Sequence, residues 1–80
     1  MASVEVWKDA DNSYFHGMVD QGEIRLWGPD GLYLQGLVSG DGRFGLVADK
    51  TPFADGTIEN DAITFQDHSG AMYRGSVVEK

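Results

Sequence analysis

Apolar and polar residues alternate along this chain in short bursts, and the bursts come in pairs. The first of each pair reads Val4-Glu5-Val6-Trp7, Ile24-Arg25-Leu26-Trp27, Phe44-Gly45-Leu46-Val47 and Ile63-Thr64-Phe65-Gln66. The second reads Tyr14-Phe15-His16-Gly17-Met18-Val19, Tyr33-Leu34-Gln35-Gly36-Leu37-Val38, Phe53-Ala54-Asp55-Gly56-Thr57-Ile58 and Met72-Tyr73-Arg74-Gly75-Ser76-Val77. A two-residue period marks a strand with one buried face. Eight strands are predicted, over residues 3–8, 14–20, 23–28, 32–38, 43–48, 53–59, 62–67 and 71–78. No window sustains a 3.6-residue period, so no substantial helix is predicted.

Gly17, Gly36, Gly56 and Gly75 recur 19, 20 and 19 residues apart. A fixed period points to one small unit copied four times, over about 3–20, 23–40, 43–60 and 62–78, within a single domain 1–80. Each strand sends two residues to one face: Val4 and Val6, Phe15 and Val19, Ile24 and Leu26, Leu34 and Val38, Phe44 and Leu46, Ala54 and Ile58, Ile63 and Phe65, Tyr73 and Val77. That regularity identifies the core face. The repeated glycine lies on it, where it weakens a strand unless it marks a bend or a close approach. The expected role is to let the sheet bend and to make room for a large residue of the neighbouring strand.

Turn residues separate the strands: Gly28-Pro29-Asp30-Gly31, Asp20-Gln21-Gly22, Gly40-Asp41-Gly42 and Asn60-Asp61. Connections this short pair successive strands as antiparallel neighbours. The fold class is therefore all-β, an antiparallel up-and-down meander that closes or nearly closes into a small barrel. Eight strands leave an interior that side chains just fill, and closure removes exposed edges. The alternative is one curved sheet covered by a second copy.

The segment Asp67-His68-Ser69-Gly70-Ala71-Met72-Tyr73-Arg74-Gly75 resembles a MORN repeat, with a turn glycine followed by aromatic-x-Gly opening a strand; Asn12-Ser13-Tyr14-Phe15-His16-Gly17 resembles it more loosely. The resemblance implies an array of antiparallel hairpins. In that family such arrays serve in protein or lipid association. The unit here is shorter than the family's, and the aromatic-x-Gly step gives way to Leu34-Gln35-Gly36 and Ala54-Asp55-Gly56. No ligand and no catalytic residue follows from it.

Composition narrows the partners. At 80 residues the chain buries only about 60% of its unfolded surface, and with no cysteine it has no disulfide to reinforce a thin core. Self-association is one source of further buried area. Thirteen acidic residues against six basic give a net charge of −7, and the cations are scattered. A phosphate backbone or an anionic membrane needs a concentrated basic patch, so neither nucleic acid nor membrane is an expected partner. No leader-like segment and no apolar stretch of about 20 residues is visible, which makes a cytoplasmic location the expectation.

Little points to catalysis. His16 and His68 have no ligand partner at metal-binding spacing. Asp67-His68-Ser69 are consecutive, whereas a triad converges from separate positions; they read as a polar turn. Asp9-Ala10-Asp11-Asn12 lacks the ordered calcium loop with its terminal Glu. No cofactor or metal is predicted, and the chain reads as non-catalytic.

The functional lead is where the copies differ. Opposite the core, the first half carries Trp7, Tyr14, Met18, Trp27, Tyr33 and Leu37; the second half has Val47, Phe53, Thr57, Gln66, Met72 and Ser76. An exposed aromatic patch marks a contact surface. The reading is a binding or assembly module that self-associates as a homo-oligomer or binds a protein partner through this face. The alternative is a small-ligand or carbohydrate-binding barrel, with rings stacked on the ligand and His16, Arg25 and Gln35 hydrogen bonding to it.

Overall fold

The computed structural model describes residues 1–79. Eight strands follow in order: β1 (Ala2–Lys8), β2 (Tyr14–Asp20), β3 (Glu23–Trp27), β4 (Tyr33–Leu37), β5 (Arg43–Ala48), β6 (Thr51–Glu59), β7 (Ala62–Asp67) and β8 (Met72–Glu79). Each pairs antiparallel with the next, and β8 pairs back onto β1, so the meander is a closed barrel and not an open curved sheet. Among the described residues the sole helical turn is a 3-10 turn at Pro29–Gly31, inside the expected turn. Three connections are two-residue hairpins with positive φ at both positions: Gln21-Gly22, Asp49-Lys50 and Asn60-Asp61. That conformation follows the right-handed twist of the flanking strands.

The core face is the predicted one. Ile24, Leu26, Leu34, Val6 and Ile63 are wholly buried, and the other inward residues join one contiguous cluster. Val19, Val38 and Ile58 are half-buried, Val19 and Ile58 at the last inward positions of β2 and β6 and Val38 just past the end of β4, where the barrel end meets solvent. Ala2, which the alternation left out, is buried there too.

One expected outward residue turns in. The register of β5 on β6 runs Leu46↔Ala54 and then Val47↔Pro52, so Phe53 is an extra residue in a bulge. A bulge re-aims a side chain and tolerates a proline within a strand. Phe53 accordingly packs against the core, its ring 6.2 Å from that of Tyr73.

The repeated glycines work by close approach, but to backbone and not to a large side chain as expected. A Cβ on Gly17 would lie 1.8 Å from the carbonyl oxygen of Arg25, on Gly36 1.8 Å from that of Gly45, on Gly56 2.1 Å from that of Thr64, and on Gly75 1.7 Å from that of Glu5. Those four oxygens belong to the same place in the four phrases. At every second seam, therefore, the next strand's main chain occupies the space a side chain would need.

Tyr73 stacks on Phe65 at 4.5 Å and meets Phe15 edge-on at 5.5 Å. Its buried hydroxyl needs a partner. It donates to Asp67 Oδ2 at 2.8 Å, while Asp67 Oδ1 accepts from the Ser69 N–H, the Ser69 hydroxyl and the Ala71 N–H. Asp67-His68-Ser69 is thus a turn whose aspartate anchors the core tyrosine. Partial burial pushes the Asp67 carboxyl up, but the hydrogen bonds from Ser69, Tyr73 and Ala71 outweigh it and hold it at about 2. Burial, then the neighbouring carboxylate, raises the Tyr73 phenol well above its ordinary value.

Candidate functional site: an aromatic ribbon on the outer face

Antiparallel pairing brings outward residues of successive strands side by side. Trp7 pairs with Tyr14 across β1 and β2, His16 with Trp27 across β2 and β3, and Trp27 with Tyr33 across β3 and β4. The result is a continuous ribbon of five rings. Centroid separations along it are 5.4, 5.8, 6.2 and 5.2 Å, from Trp7 through Tyr14, His16 and Trp27 to Tyr33.

Neighbouring rings are inclined by 22 to 42°. Tyr14 and His16 stack, as do His16 and Trp27, whereas the Trp7–Tyr14 and Trp27–Tyr33 pairs are tilted. Trp7 is 41% exposed, Tyr14 42% and Trp27 38%, which is substantial for such large side chains. Tyr33 donates its hydroxyl to Gln35 Oε1 at 3.3 Å, and Tyr14 donates to Glu5 Oε1 at 3.0 Å. The Glu5 hydrogen bond raises the Tyr14 phenol. No hydrogen bond among the described residues uses the indole N–H of Trp7 or Trp27.

The other expected site residues separate from the ribbon. Met18 is half-buried between Ser3 and Arg25. Arg25 is held by Glu23 at 2.6 Å. Leu37, 76% exposed, pairs with Glu23 at the start of β3, whereas Tyr33 pairs with Trp27 at its end, so Leu37 stands at the opposite end of β4 from the ribbon. Beside it an open concavity of about 570 Å³ forms where Gly45 contributes no side chain.

Sequence reasoning missed Glu5, Ser3 and Ser76. Glu5 pairs with His16 on β2 and with Ser76 on β8. The first contact follows from the hairpin register; the second exists only because the barrel closes. Groups of three or more His, Asp or Glu arranged to hold a metal are absent among the described residues, and among them no helix is long and apolar enough to cross a membrane.

No family model, curated protein or solved structure matches this chain.

Proposed function

We propose that this barrel is a non-catalytic binding module that docks a protein partner against the aromatic ribbon. The observation that carries the reading is the continuity of five rings, four exposed and Tyr33 half-buried, across four strands of a closed scaffold. Closure gives every strand a neighbour on both sides, so a partner has no edge strand to extend and meets side chains instead. Tryptophan and tyrosine dominate contact energies because each offers a large rigid apolar body and a polar tip. A second copy would bring a further −7 of charge, so a neutral or basic partner fits better than self-association.

Peptides selected from a random library on the intact chain test this. Affinity is expected to fall about tenfold or more in Trp27→Ala, the loss typical of a contact hot spot. Gln66→Ala, at the equivalent place in the fourth unit, is expected to leave binding unchanged. Peptides that bind Trp27→Ala as well as the unaltered chain would place the contact elsewhere.

A further inference from the structure

Beside the ribbon, β8, β1 and β2 frame a concavity of about 280 Å³. Glu5 stands between Ser76 of β8 and His16 of β2, with Ser3 two residues along its own strand. Tyr14, the second ring of the ribbon, closes one side through its hydrogen bond to Glu5. Ser3 and Ser76 are small, and the hollow exists because their side chains do not fill it. Val78, 57% exposed, lends an apolar rim.

The formal charge of this lining is that of Glu5 alone. The ion pairs among the described residues engage Glu23, Asp41, Asp55, Asp9 and the Glu79 carboxylate, but not Glu5. No lysine or arginine lines the hollow. The carboxylate and both serine hydroxyls accept hydrogen bonds. The Tyr14 and His16 rings, 5.8 Å apart and inclined by only 22°, supply flat aromatic surface. The equivalent place in the second unit already holds its own cation, Arg25, paired to Glu23.

We propose that this hollow receives the guanidinium group of an arginine carried by the partner that docks on the ribbon. This rests on the ribbon being the contact surface and adds the chemistry of the residue that anchors there. A guanidinium presents a planar fork of donors to a carboxylate and stacks on aromatic rings; an ammonium has neither plane nor fork. Its N–H groups reach Glu5 and the two serine hydroxyls, and its alkyl stem lies along Val78. The chain's net charge of −7 draws such a partner in and weakens its binding as salt rises.

The test is an amide-resonance titration of the 15N-labelled full chain with N-acetyl-arginine methylamide and its lysine and citrulline counterparts. The arginine probe is expected to shift the Glu5, His16 and Ser76 resonances, the lysine probe more weakly. Citrulline, which keeps the shape without the charge, is expected to leave them in place. Glu5→Gln is expected to weaken the arginine probe about fivefold, the scale of an exposed charge pair, with an unchanged melting temperature. Equal response to citrulline, no shift at the three residues, or full affinity in Glu5→Gln overturns the proposal. The library-selected peptides separate the two ideas. Loss of their affinity in Trp27→Ala but not in Glu5→Gln removes the arginine site and keeps the ribbon; indifference to Trp27→Ala removes the ribbon itself.

Discussion

The two halves of the barrel have the same inside and different outsides. Inside, each half uses two glycines in the same way, each against the carbonyl of the next odd-numbered strand. Outside, β1 to β4 carry Trp7, Tyr14, His16, Trp27 and Tyr33 in one continuous ribbon. The equivalent places in β5 to β8 are dispersed: Val47 and Met72 are half-buried, Phe53 is drawn inward by the bulge, and Asp55 lies 3.7 Å from His68. Closure constrains the inner face alike at all four seams. It places no such demand on the outer face, so an exposed aromatic ribbon confined to one half is not needed to build the barrel.

The strongest way to break the comparison is from inside. Gly36→Val drives a side chain into the Gly45 carbonyl, and a main-chain oxygen cannot step aside as a flexible side chain can. We expect a loss of more than about 3 kcal/mol, enough to abolish the cooperative melt of so small a domain. Gly40→Ala, with nothing within 4 Å of the added carbon, is the matched control and should melt as the unaltered chain does. A cooperative unfolding curve for Gly36→Val would show that close strand approach is dispensable.

Next in size is the polar anchor of the second half. Asp67→Ala leaves the buried Tyr73 hydroxyl without its partner and is expected to cost about 2 kcal/mol in urea unfolding. The same aspartate sets an acid dependence. Its carboxyl sits at about 2 in the fold against an ordinary 3.8. A depressed carboxyl contributes stability that is fully present above its unfolded value and lost as pH falls toward the folded one. That contribution is about 1 kcal/mol once solvent screening is allowed for. The stability gap between the unaltered chain and Asp67→Asn should therefore narrow between about pH 4 and pH 2; a constant gap would detach Asp67 from the acid response.

The outer face should respond weakly. Trp27→Gln, which gives the second unit the residue of the fourth, loses contacts to His16 and Tyr33 and is expected to cost under about 1 kcal/mol. A larger loss in melting temperature would make the ribbon a structural layer. The smallest effect concerns Lys50, held at φ 68 in a two-residue hairpin. Lys50→Gly relieves the left-handed penalty, offset by chain entropy, and should raise stability by about 0.5 kcal/mol.

Local pattern was enough for much of this molecule. Alternation marked all eight strands and the inward face, because period two is a property of the extended chain itself. The ribbon's rings were legible for the same reason: equivalent places in successive units point the same way. What the chain alone left open depended on partners distant along it. Closure was decided by β8 meeting β1, and with it the placement of Ser76 beside Glu5. The inward turn of Phe53 was decided by a register shift between β5 and β6, which no single strand encodes. The separation of Leu37 from the ribbon, the capture of Arg25 by Glu23 and the anchoring of Tyr73 by Asp67 likewise depend on distances across the folded surface. Periodicity determines which way a side chain faces; only the assembled barrel determines what it faces.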